Sequence, residues 1–357
     1  MKNSIKSKLL TTGMALFALC AFADPETGWK QTGAGPYDYN NPANWVNGDI
    51  NGVFSSNLTL TAAQTITFSQ DTTLPDGLKI AYSGTYRMYF MTAAEAEGEV
   101  TLKLQGGILL DTVDNGNVIV DFGSSAAGRG VLLDLDGAVR TVETTGTKHE
   151  IRFLNKITNG GITLKNKSKV TFNSTESNYT LGTTFNGSGQ VVVMQNSLGT
   201  GPLTFNATTS LGTSSNRTFT NNNKLIFNAG LTVSGANGSL NLGAGDIVIN
   251  EPISISMSKN TFTLGGQIAE NSPYGIDAIS FADVGGTLVT YANLVADGDV
   301  ELSTAKQWDF HGVISGSGRV IKTGGGEMDL FAQNTFTDIM GTILFQAIPG
   351  LRRGIVL

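Results

Sequence analysis

"NSLGTGPLTFN", Asn196 to Asn206, holds no acid, base, thiol or histidine, so its layout serves a shape and not a reaction. A turn punctuated by Gly199 and Gly201 leads into an alternating strand, which requires Leu198 and Leu203 to face a core while the glycines turn the corner. The same grammar runs through the chain. In "NLTLTAAQTITF" Leu58, Leu60, Ile66 and Phe68 alternate with polar residues, and in "EVTLKLQGG" so do Val100, Leu102 and Leu104. From Leu225 onward "LTVSG", "SLNLGAG", "DIVINEP", "ISISMS" and "TFTLGG" follow one another, each closed by a turn residue or leading into the next short strand. Helical periodicity has one candidate, "TAAEAEGE" at Thr92–Glu99, whose composition predicts a helical turn or two in a loop insertion.

Composition agrees with a folded, turn-rich chain. Of 357 residues 45 are Gly and 8 Pro, 40% are hydrophobic and 15% charged, far from the signature of disorder. A formal net charge of −6 argues against a nucleic-acid surface. Residues 1–23 read as a signal peptide: Lys2, Lys6 and Lys8 precede an apolar run from Gly13 to Phe22, too short to span a bilayer, and "AFA" predicts cleavage after Ala23. Cys20, the single cysteine, lies inside that segment, so the mature chain has no thiol for a disulfide, a metal or catalysis. No later apolar run has the length of a membrane helix.

Internal repetition decides the architecture. "FNGSGQVVV" (Phe185–Val193), "VSGANGSLNL" (Val233–Leu242) and "ISGSGRVIK" (Ile314–Lys322) share an apolar residue, a small turn and a new strand. "VTFNSTESNYTLGTTF" (Val170–Phe185) and "MDLFAQNTFTDIMGTILF" (Met328–Phe345) form a longer pair. Units that cannot bury their own apolar face stack on copies of themselves. The reading is all-β: a single-stranded right-handed parallel β-helix, with a Trp/Tyr-rich cap at 24–57 (Trp29, Tyr37, Tyr39, Trp45), repeats over 58–345 and a tail at 346–357. At about twenty to twenty-five residues per coil it has about fifteen coils, or about 70 Å of rod.

The "NTFTDIMGTILF" and "SNYTLGTTF" segments, the "GSG" strand entries and "SLGTGPLTFN" resemble the autotransporter-associated β-strand repeat of bacterial surface passengers, and "GWKQTGAGPYDYNNPANWVNGD" (Gly28–Asp49) resembles their Trp-rich start. The resemblance covers about a third of the chain: one good repeat at Val170–Asn206, a divergent one at Ile314–Phe345 and degenerate rungs between. It implies a β-helix secreted to, or held at, the surface of a Gram-negative cell, and it does not name a ligand. The translocator β-barrel of that family does not follow "AIPGLRRGIVL", so a truncated or shortened member is expected, whose last rung invites end-to-end self-association.

Two functions fit such a rod. The first is a structural or adhesive surface protein without catalytic activity or cofactor, binding glycans, partner proteins or itself through Thr, Asn and Ser. The alternative is a polysaccharide-degrading lyase or hydrolase, which needs clustered ionisable groups. Its best candidates are Asp134 and Asp136 of "LLDLDGAVR", on one strand face with Arg140 nearby and Asp121 about a rung earlier, although an Asp-Gly turn explains them as well. His149 and His311 lie far apart and read as ordinary exposed side chains. Asp297, Asp299 and Glu301 of "ADGDVE" alternate as calcium ligands do, but the set is too thin for a known calcium loop. No phosphate loop and no G-x-S-x-G is present.

Overall fold

A computed structural model describes residues 28–340 apart from 55–58, 83, 97, 112–116, 125–128, 235–237, 258, 283–284 and 336–337. The signal segment and the tail after 340, with the expectations placed on them, lie outside the described residues. The chain is a parallel β-solenoid of about 12 turns, with no α-helix among the described residues and no helix there long and apolar enough to cross a membrane.

Two 11-stranded sheets and a 6-stranded sheet carry most of the wall. Each strand pairs in parallel with the strand one turn later, so alternation along the chain becomes columns along the rod. Phe90, Phe122, Phe153 and Phe172 are register partners in one such column. Their rings lie 5.0, 5.5 and 5.2 Å apart inside the coil. A second column, Phe185, Phe205 and Phe227, stacks at 4.6 and 4.9 Å. A spacing near the distance between neighbouring strands is what in-register identical side chains must adopt.

The glycines of the opening phrase sit where the backbone closes on itself. Gly199 has φ +69°, and a Cβ there would come within 2.4 Å of the Tyr179 carbonyl oxygen. One on Gly201 would come within 2.2 Å of the Thr180 oxygen. Leu198 and Leu203 are fully buried, as the alternation requires.

Turns are longer in the first part of the rod than a uniform repeat suggests, hence about 12 turns and, at about 4.8 Å each, about 60 Å instead of 70 Å. Rung-to-rung side-chain bonds span 31 and 34 residues at Ser124–Asn155 and Thr145–Asp111 but 20 and 22 at Asn206–Asn186 and Asn228–Asn206. The described residues of "TAAEAEGE" form no helix: Thr92 ends the strand Arg87–Thr92 and residues 94–96 make a turn and a bend. A glycine at 98 with φ +135°, and the pull of the strands on either side, override the propensity of a few alanines and glutamates.

At the amino-terminal end Trp29, Tyr39 and Trp45 are buried against the first rungs. Trp45 packs edge-on to Trp29 at 5.2 Å and to Tyr39 at 5.0 Å, while Tyr39 stacks on Phe68 at 4.9 Å. The polar edges of the rings are satisfied as well, Trp45 Nε1 donating to the Tyr39 carbonyl at 2.7 Å and Trp29 Nε1 to Gln64 Oε1 at 2.9 Å.

Candidate functional site

Asp134 and Asp136 both point outward from the strand Val131–Thr144, but a register shift between Asp134 and Ala138 breaks the strand where they sit. Asp136 takes φ 54° and Gly137 φ 69°, the left-handed turn that an Asp-Gly pair tolerates. Asp134 Oδ1 accepts from the Asp136 backbone N–H and from Asn159 Nδ2, each at 2.8 Å. Asp136 accepts from Gln105 Nε2 at 2.9 Å and pairs with Lys103 at 3.4 Å and Arg140 at 3.9 Å. The Gln105 hydrogen bond, with Lys103 and Arg140, holds its carboxyl below the usual range, so it stays an anion tying one turn to the next. Asp121 does not join them: it lies on the strand Ile119–Phe122 of the other long sheet.

There Asp121 belongs to a charged cluster that the sequence reading missed. Arg87, Asp121, Glu150, Arg152 and Lys169 come from four successive strands of that sheet. Asp121, 2% exposed, lies 3.7 Å from Arg87 and 3.9 Å from Arg152. Burial raises its pKa against the pull of the two arginines. Glu150 is better held: Arg152 Nη2 reaches it at 2.7 Å, Thr171 Oγ1 at 2.7 Å and Lys169 Nζ at 3.1 Å. Burial alone would raise its pKa, and these three donors together bring it below the usual range. These enclosed carboxylates tie neighbouring rungs, Glu150 through Thr171 and Lys169 and Asp121 through its longer ion pairs with Arg87 and Arg152.

His149 is buried at 3% exposure and not an exposed side chain, because its ring packs over the bare backbone of Gly146, where a Cβ would lie 2.0 Å from Nε2. Burial lowers its pKa. A histidine held neutral in the fold takes up its proton more readily when unfolded, so the stability it confers is complete above about pH 6.5 and is lost as pH falls through its lower folded value. Urea midpoints measured from pH 7 to pH 5.5 should therefore fall, and a His149→Gln variant should flatten that slope; equal slopes would exclude His149 as the group responsible.

Asp299 is committed to Arg319, whose Nε donates to Oδ1 at 2.9 Å, and Glu301 accepts from Thr323 at 2.6 Å. Asp297 is exposed. Two of the three residues offered for calcium, Asp299 and Glu301, are thus turned toward the next rung. No His/Cys/Asp/Glu group suited to a metal occurs among the described residues.

The 6-stranded sheet carries a pair of neighbouring carboxyls, Asp309 half-buried and Asp329 buried, and beside them a column of stacked rings. Asp309 and Asp329 are register partners on the strands Gln307–Phe310 and Met328–Leu330, joined through Gln307 Nε2 at 2.9 and 3.5 Å. Burial, then the charges of Asp309 and Glu327, raises the pKa of Asp329. Two residues further along the chain Tyr291, His311 and Phe331 stack outside the coil, with centroids 4.7 and 4.2 Å apart and ring planes within 17° and 4°. His311 is therefore half-buried between two rings, which lowers its pKa, and not freely exposed. The signal was in the sequence as "QWDFH" and "EMDLF", the same polar-apolar-Asp-apolar-aromatic phrase one turn apart. An open groove of about 530 Å³ lies on another face, where Ser254, Tyr274, Ser280 and Glu301 line it.

No family model matches the chain, and neither does any curated protein or solved structure.

Proposed function

We propose that the chain is an exported surface protein of the passenger type that its repeats resemble, a non-catalytic rod that adheres to glycans, partner proteins or further copies of itself. The observation that carries this reading is a polar surface that repeats at one-rung intervals. Asn186, Asn206, Asn228 and Asn250 stand in line, each amide donating to the carbonyl oxygen of the one before at 2.9, 2.6 and 2.6 Å. Ser210 with Ser234, and Thr232 with Ser256, form shorter rows. A primary amide has two N–H donors, so each member of the line keeps hydrogen-bonding capacity for a ligand. Repetition at about 4.8 Å offers the same weak contact many times over, which suits a polymer and gives avidity without a deep pocket.

Asp309 and Asp329 favour the runner-up, a lyase or hydrolase, since two adjacent carboxyls, with burial raising the proton affinity of Asp329, are the raw material of acid–base cleavage. A glycan array, run beside reducing-end and unsaturated-product assays on a polysaccharide panel, separates the two. Binding without product is the expected result. Product formation that Asp329→Asn abolishes would transfer the function to the enzyme, and product formation lost in Asp136→Asn would return it to the turn at Asp134.

A further inference from the structure

The aromatic column outside the 6-stranded sheet begins abruptly. Tyr291 follows Thr290, whose register partner is Leu264, so the residue beneath its ring on the preceding rung is Gly265, and beneath that Gly243. Neither position can carry a side chain. A Cβ on Gly265 would come within 2.6 Å of the Gly243 carbonyl oxygen, and one on Gly243, at φ +85°, within 2.6 Å of the Phe219 oxygen. One face of the Tyr291 ring is covered by His311 at 4.7 Å, while the other looks onto a floor of bare backbone, and the residue is 42% exposed.

The walls of this shelf are polar and uncharged. Asn241 and Thr263, register partners two residues before the two glycines, point outward beside them. The Thr263 hydroxyl and the Asn241 amide nitrogen have no hydrogen-bond partner among the described residues. On the other side Gln267 fixes the platform: its Nε2 donates to the Tyr291 carbonyl at 2.7 Å and its Oε1 accepts from the Asn293 N–H at 2.9 Å. A rigid ring face, a flat floor, and amide and hydroxyl groups with no ionisable side chain among them match the apolar face and hydroxyl rim of a sugar.

We propose that Tyr291, Gly265 and Gly243 form a subsite for one pyranose ring of a neutral glycan, stacked on the open face of Tyr291 and hydrogen-bonded by Asn241 and Thr263. The inference rests on the reading of the chain as a glycan-binding rod. The ring cannot be replaced from within the fold, because the three-ring stack ends there and the glycines bar any side chain from covering it.

Affinity electrophoresis of the full chain in gels containing galactomannan, xyloglucan or hydroxyethylcellulose, with polygalacturonate as the anionic probe, tests it. At least one neutral polysaccharide should retard the parent. Tyr291→Ala should weaken that retardation about tenfold, Tyr291→Phe should stay within about threefold of the parent because stacking needs the ring and not the hydroxyl, and both should keep the parent's circular dichroism. Retardation by polygalacturonate alone, an alanine variant as retarded as the parent, or a phenylalanine variant as weak as the alanine one would overturn the subsite and leave the adhesive rod standing. Retardation by none of the four would overturn the subsite and the glycan-binding reading together.

Discussion

Trp45→Ala is expected to cost about 3–5 kcal/mol, read as a drop in denaturant midpoint with little change in slope. Trp45 is fully buried at the amino-terminal end of the stack, where it meets Trp29, Tyr39 and Phe54 at ring distances of 5.2, 5.0 and 5.7 Å. Truncation removes these contacts together, leaves a cavity and strips the Tyr39 carbonyl of its indole donor. The first rung would also lose part of its cover, and an uncovered rung is a template for strand addition. Soluble aggregates should therefore accompany the lost stability. A variant within about 1 kcal/mol of the parent and equally monodisperse would show that the aromatic cluster does not seal the rod.

Phe205→Ala is expected to be as costly, about 3–5 kcal/mol, from the middle of the rod. Phe205 is fully buried and stacked between Phe185 and Phe227 at 4.6 and 4.9 Å, with ring planes within 4° and 9°. Stability of a solenoid is a sum over neighbouring rungs, and this truncation weakens the two interfaces on either side of one rung at once. Tyr291→Ala provides the control: it takes away a ring that is stacked but half outside the coil, and should cost less than about 1 kcal/mol. Comparable losses from the two would mean that the inner column is no more important to the fold than the outer one.

The fold was legible because its rule is local. A strand that alternates and a turn that only glycine can make recur at Gly199 and Gly201 and wherever the chain turns a corner, and stacking is the one arrangement that buries every such strand. Turn length was less legible, since residues inserted between strands leave no mark on periodicity; the long turns before Glu150 look in sequence like any polar loop. The partners of charged residues were hidden for a related reason. Asp134 and Asp136 attract notice as neighbours in sequence, whereas the partners that decide their role, Lys103, Gln105 and Asn159, lie a turn away. His149 reads as a surface residue from its polar neighbours, yet the missing side chain of Gly146 makes a place for it. On the face of the 6-stranded sheet Asp309 and Asp329, with His311 and Phe331, were within reach of a closer comparison of "QWDFH" with "EMDLF"; the bare floor beside Tyr291 was not, because it consists of two glycines that look like any others.

The asparagine row has one further property. Every amide in it donates in the same sense, from Asn250 toward Asn186, so among the described residues the row starts with unspent N–H groups at Asn186 and ends with an unspent carbonyl oxygen at Asn250. Aligned amides polarise one another, and their dipoles add along the axis instead of cancelling. The surface is therefore a vector: a chain molecule laid along it meets donors at one end and an acceptor at the other. A polymer with distinguishable ends would lie in a preferred orientation, and a rod built by stacking about 12 turns could still tell forwards from backwards.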